Sequence, residues 1–236
     1  MRSFAQRSPE DEMMDGADVP PEVFAACLAD LAKVNTVTLA RPPTLAWLGR
    51  ATRGMAQGQS FSLVDVGYGQ GDMLRAIHAW ARRKGFRPRL VGVDLNPRSE
   101  PAARAATDPG LGIDFLTGDV FDYAPAQPPD FIVSSLVTHH MSDAQVIAFV
   151  GWMEATAQRG WFINDLHRHP VAFYGFQALS TAARWHPFVR HDGPVSVARA
   201  FVRRDWERLL AAAGLPEGAA HIDWRLPFRL CVGRIR

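Results

Sequence analysis

Residues 63–72, LVDVGYGQGD, constrain this chain more than any other stretch. Apolar Phe61, Leu63, Val64 and Val66 predict a buried strand, and residues 72–83 (DMLRAIHAWARR) predict the helix that follows it. Between them Gly67, Gly69 and Gly71 stand at every second position, where a missing Cβ lets backbone approach a ligand closely and tolerates positive φ. A strand, a glycine turn and a helix imply a nucleotide-type pocket at the carboxyl end of a sheet strand. The sixth position of the turn is Asp72, where a dinucleotide fingerprint has glycine. A carboxylate there opposes a pyrophosphate and suits a ligand with a cationic end, whose ammonium can pair with Asp65 or Asp72.

After the turn the pattern alternates. Residues 89–94, 113–117, 131–135 and 161–165 read as further strands, with helices at 98–106 and at 142–157, the latter opened by Ser142. Apolar strands in this rhythm predict a parallel sheet covered on both faces. The rhythm breaks at Leu166, and residues 166–200, rich in aromatics, histidines and prolines, read as an inserted helical cap over the substrate. Within it, residues 188–196 (FVRHDGPVS) read as a turn before a helix at 203–213. Two strands, 221–226 and 228–235, close the chain. Ahead of the sheet, residues 22–33 and 45–55 read as helices, the second following Pro42-Pro43, and the start of the polar stretch 1–19 reads as loose. The expected organisation is a helical extension over 1–58 and one main domain over 59–236.

Three strand ends carry an acid: Asp65, Asp94 and Asp119. Asp94 stands where a carboxylate can accept both hydroxyls of a ribose, a role that nicotinamide enzymes share. The set resembles the motifs of class I methyltransferases that use S-adenosylmethionine (SAM), with DVGYGQG as the first motif and VGVDLNP as the second. The resemblance covers roughly residues 12–235, and Tyr68 departs from it, since a small residue or Cys is frequent there. It implies a Rossmann-like, seven-stranded, mostly parallel α/β sheet with helices on both faces. In that family the seventh strand is antiparallel and lies between the fifth and sixth. It also implies SAM as cofactor, held by Asp65, Gly67, Tyr68, Gly69, Gly71, Asp94, Leu95, Asp119, Val120 and Ser135.

The fourth strand runs into SSLVTHHM, where the family sets residues between cofactor and acceptor. His139 and His140 are the candidate catalytic pair, without a choice between them, because an imidazole can take a hydroxyl proton near neutral pH. Asn164, Asp165, His167 and Tyr174 are candidate substrate contacts. No metal is expected, since the scattered His and Asp show no ligand spacing. The resemblance to a bacterial subgroup implies an aromatic, polyketide-like or quinone-like acceptor methylated on a hydroxyl, with carbon methylation of a similar ring as the nearest alternative. A nicotinamide oxidoreductase and a non-catalytic SAM-binding protein are the rivals from other classes.

Partners of other kinds find little support. The net charge is +2, and the basic residues are almost all arginines without a polybasic block, which argues against nucleic acid. The motif of base-amino methyltransferases is also missing after the fourth strand. No run approaches a membrane span, and the first fifteen residues lack the apolar core of a signal peptide. Cys27 and Cys231, far apart, read as buried free thiols. A cytoplasmic monomer or homodimer is expected.

Overall fold

The computed structural model describes residues 3–16 and 18–236; Met1, Arg2 and Ala17 lie outside it. Seven strands form one sheet: β1 (Ser60–Val66), β2 (Arg87–Asp94), β3 (Ile113–Thr117), β4 (Phe131–Ser135), β5 (Gly160–Leu166), β6 (His221–Arg225) and β7 (Arg229–Ile235). Their order is β3-β2-β1-β4-β5-β7-β6, with β7 antiparallel to both neighbours and the other pairings parallel. This is the expected fold class, including the position of the last strand. The chain leaves β1 toward β2 on one side and reaches β4 on the other, so a crevice opens at the carboxyl ends of these strands.

The period of two along the strands sorts the core into two layers. Phe61 and Leu63 of β1, and Phe131 and Val133 of β4, meet α2 (Arg41–Ala51) and α3 (Asp72–Arg83) on one face. Val64, Val66 and Ile132 meet α5 (Asp143–Thr156) and α8 (Arg203–Ala212) on the other. Helix α3 follows its sequence reading: Met73, Leu74, Ile77, Trp80 and Ala81 form its buried stripe. Helix α5 starts at a capping box in which Ser142 and Gln145 exchange side-chain and backbone hydrogen bonds. Trp161 and Trp206 are fully buried in the second layer, and a buried side chain of comparable size contributes roughly 1.5–3 kcal/mol. The remaining crossover helix, α4 (Ser99–Ala105), lies beside β3.

Helices α1 (Pro21–Val37) and α2 precede the sheet. Helix α2 starts at Arg41, so Pro42 and Pro43 sit in its first turn, where the missing amide hydrogens have no helical partner to lose. Among the described residues no single helix is long and apolar enough to cross a membrane; α1 and α2 meet that length only as a pair bent by 66°. Cys27 and Cys231 are buried and unbridged.

The segment after β5 is a helical hairpin, α6 (Pro170–Ala182) and α7 (Pro187–Arg199). The turn expected over 188–196 is instead the body of α7, with Pro194 inside the helix. Gly193 is there for close approach: a Cβ at that position would lie 1.9 Å from the Phe176 ring of α6. The polar stretch has its expected loose start partly outside the described residues, at Met1 and Arg2, and from residue 3 it is a strap tied over this hairpin. Ser8 N donates to Ala198 O, Arg168 Nε donates to Phe4 O, and the amides of Met13 and Met14 donate to the two carboxylate oxygens of buried Asp192. Arg7 fastens the strap to the body by donating to Asp143 Oδ1 and to the carbonyls of Arg199, His139 and Met141.

Candidate functional site

A cavity of about 1100 Å³ lies at the carboxyl ends of β1, β2 and β4, roofed by α1, the hairpin and the strap. Its first half is the glycine turn. Gly67 has φ +73°, and a Cβ there would lie 2.3 Å from Val137 Cγ2, so only glycine fits between the strand and the histidine turn. Beside it, both carboxylate oxygens of Asp65 are buried without a hydrogen-bond partner among the described residues. Burial, then the nearby carboxylates of Asp72 and Asp94, push Asp65 well above the usual carboxylate range. Such an acid is costly unless a cationic group comes to meet it.

Asp94 ends β2 with Oδ2 accepting from Gly69 N and Oδ1 from Asn96 N, both at 2.9 Å. Burial raises it, and these two amides oppose the shift. Leu95 lines the cavity while largely exposed, and Ser135 lines it at the end of β4. Asp119 and Val120 also line it, although Asp119 Oδ1 accepts from Phe121 N and thereby caps its own turn.

At the other end, the chain leaves β4 through Leu136, held at φ +62°, and drops into a single turn of 3-10 helix, Thr138–His140. Buried Asp165 organises that turn. It accepts from Thr138 Oγ1, from His139 N at 3.0 Å and from Leu166 N at 2.7 Å, and its Oδ1 lies 2.7 Å from His139 Nδ1. Burial would raise this carboxyl, but the His139 ring and these hydrogen bonds overcome it and hold it at about 2. Since a carboxylate only accepts, Nδ1 carries the proton of that contact, and Nε2 lies on the side of Glu12. The strap brings Glu12 against it: Glu12 Oε1 lies 3.6 Å from His139 Nε2, and Oε2 lies 3.9 Å from His140 Nε2. Glu12, His139 and His140 all line the cavity. A pocket with a waiting carboxylate at one end and an oriented imidazole at the other suits a cationic nucleoside ligand facing an acceptor whose proton must leave.

The family model of a methyltransferase domain matches residues 30–216. The chain belongs to this methyltransferase family. No curated protein sequence matches it. Among solved structures, the methyltransferase resembles the plantazolicin methyltransferase BamL, in complex with a triazolic desmethylPZN analog and SAH. That likeness has 13% identity and a TM-score of 0.60 over 83% of this chain and 70% of the other. Human N-acetylserotonin methyltransferase in complex with SAM follows at 14% identity and a TM-score of 0.62, over 92% of this chain and 56% of that one. Magnesium protoporphyrin IX methyltransferase from Synechocystis PCC 6803, with bound SAH, has 16% identity and a TM-score of 0.53, over 94% and 90%. At these identities the likeness is one of fold.

Within the methyltransferase, several of the expected site residues lie outside the cavity or are engaged by neighbouring side chains. Tyr68 lines the cavity at the glycine turn, and its buried side chain packs on Phe115 with ring centroids 5.0 Å apart, seated over Gly92. Asp72 lines the cavity with its Oδ2 already accepting from Arg41 Nε at 3.0 Å. None of the four expected substrate contacts lines the cavity. Asn164 is fully buried and donates to Ala40 O at 2.6 Å, tying α2 to β5. Asp165 is equally buried and acts on His139. His167 is half-buried and bridges to Phe201. Tyr174 faces outward on α6, edge-on to Phe4 and Phe173.

Two residues escaped the sequence reading. Glu12 sits in a polar stretch without periodicity, and only the acidic run PEDE hinted at it. Arg229 is 3% exposed, lines the cavity and leaves Nη1 without a hydrogen-bond partner among the described residues, while Nη2 donates to Thr38 Oγ1. Burial lowers it to about 10. A charged residue inside the apolar run FRLCV was the available signal.

Proposed function

We propose that this enzyme transfers a methyl group from SAM to a hydroxyl of a small, apolar, aromatic or polyketide- or quinone-like acceptor. The observation that carries the reading is the Asp165–His139 pair, which holds the imidazole tautomer and turns Nε2 to a cavity whose opposite end carries a buried, unpaired acid. SAM, when bound, supplies an electrophilic methyl on a sulfonium. The residues present fit such a group. Asp65 would take the ammonium of its amino-acid end, Asp94 the ribose hydroxyls, and Asp119 with Val120 the adenine, while Gly67 and Gly69 admit the ligand to the backbone.

The chain's own contribution is placement and proton control. Cap residues Val171, Phe176 and Leu179, with Leu28, Leu31 and Phe228, give the acceptor end an apolar wall that favours a ring over a charged substrate. The histidine turn sets the hydroxyl toward the cofactor end and removes its proton, with the Asp165 carboxylate stabilising charge that develops on His139. Calorimetric titration with SAM, S-adenosylhomocysteine and NAD(P), followed by turnover of a phenol panel, tests the proposal. Binding of the adenosyl ligands and methylation of at least one phenol are expected; binding of NAD(P) alone would sink it.

A further inference from the structure

We propose that Glu12, His139 and His140 form a site for one divalent first-row cation, zinc-like in its ligand preference, at the acceptor end of the cavity. The inference rests on the acceptor position argued above and adds a second route for withdrawing the hydroxyl proton.

The three ligand atoms converge. One atom from each residue lies within 4.8 Å of the others, in a cluster that is mostly buried. Asp165 Oδ1 holds His139 Nδ1 at 2.7 Å and leaves Nε2 turned to Glu12 Oε1 across 3.6 Å. A shared proton fits poorly, because an N–H···O bond spans about 2.7–3.2 Å. Ligands held about 2.0–2.2 Å from a tetrahedral ion stand about 3.3–3.6 Å apart, close to the 3.6 Å and 3.9 Å that separate the Glu12 oxygens from the two imidazole nitrogens.

The outer shell is built as well. Asp165 holds the far nitrogen of His139, and Ser196 Oγ donates to Glu12 Oε1 at 2.8 Å. Carboxylate–histidine and hydroxyl–carboxylate contacts of this kind orient ligands at metal centres. Two histidines and one glutamate leave a fourth position toward the cavity, the arrangement of a catalytic rather than a structural site. An acceptor oxygen filling that position gives a lone pair to the cation, its O–H bond weakens, and the proton leaves to water with the electron pair kept on oxygen. In the loaded enzyme His139 Nε2 is a ligand, so the cation takes over its work on the proton.

The test uses the purified full chain, freed of metal by a chelator and titrated with Co²⁺ by visible absorption and with Zn²⁺ by calorimetry. One tetrahedral Co²⁺ per chain is expected. Glu12→Gln and His140→Gln should each weaken it at least tenfold, and Asp165→Asn by about 10–100-fold as an outer-shell change. S-adenosylhomocysteine affinity should stay within about twofold in Glu12→Gln and His140→Gln, which establishes that these chains are folded. The proposal is overturned if wild type binds Co²⁺ no more tightly than Glu12→Gln, or if chelated enzyme methylates its acceptor at an undiminished rate. Failure of wild type to bind S-adenosylhomocysteine would strike the cofactor reading instead, so the two can fall separately.

Discussion

His139 and Asp165, 26 residues apart in sequence, meet through a 2.7 Å contact between imidazole Nδ1 and carboxylate Oδ1, both side chains buried. The histidine comes from the turn after β4 and the acid from β5, and the parallel pairing of these strands brings them together. Asp165→Asn keeps the shape of the acid but can present an amide donor to Nδ1, which favours the other tautomer. Expected is a fall in kcat of about 10²–10⁴ with S-adenosylhomocysteine affinity little changed. An unchanged kcat would remove His139 from the proton step.

The same acid should appear in the stability profile. Its folded value of about 2 lies below the ordinary 3.8, so its contribution is fully present above about pH 4 and is lost as the pH falls toward about 2. The size is of order 2 kcal/mol. Denaturant unfolding between pH 5 and about 2 should show wild type losing stability on this limb. Asp165→Asn, already weaker, should show a shallower slope.

Asp65 titrates in the opposite sense. Its folded value is raised, so it is protonated over a range where an ordinary aspartate is not. An incoming ammonium favours the ionised form, so binding should release a proton. Calorimetry of S-adenosylhomocysteine in two buffers of different ionisation heat should reveal that release at mildly acidic pH, and buffer-independent heat would refute it. Asp65→Asn should abolish the release and weaken binding about 10–100-fold, the range of a charge-assisted hydrogen bond.

Arg7→Met should loosen the strap while leaving the sheet intact. It removes four hydrogen bonds and the stacking of the guanidinium 4.2 Å above the Phe201 ring. Faster cleavage within residues 3–11 by a nonspecific protease is expected, with kcat/KM lowered roughly tenfold and the melting temperature of the body shifted by only a few degrees. Equal protection of the segment in both proteins would show that Arg7 does not hold it.

The sheet was legible because its signals are local. β3, β4 and α3 begin and end where the apolar patterns do, and the acids at the ends of β1, β2 and β3 follow from strand polarity. The site was legible only where one segment supplies it, as in the glycine turn and the histidine pair. Asp72 looked available because Arg41, its partner, lies 31 residues earlier on another helix. Asp165 and Asn164 looked like substrate contacts because a polar strand end resembles a binding edge, whereas their partners, His139 and Ala40, are set by tertiary packing. Pro194 and Gly193 look like a turn, yet the packing of α7 against Phe176 outweighs their local preference.

The strap also has a consequence for the order in which this enzyme becomes competent. Glu12 reaches the histidines only after α7 exists to receive the strap, since Ser196 donates to Glu12 and Asp192 accepts from the amides of Met13 and Met14, at sequence separations of 184, 179 and 178. The strap therefore waits for partners that come far later in the chain. Closing so long a loop is slow and entropically costly. On unfolding the sequence runs backward: the strap is the contact most easily surrendered, and catalytic competence should vanish in mild denaturant while the sheet still stands.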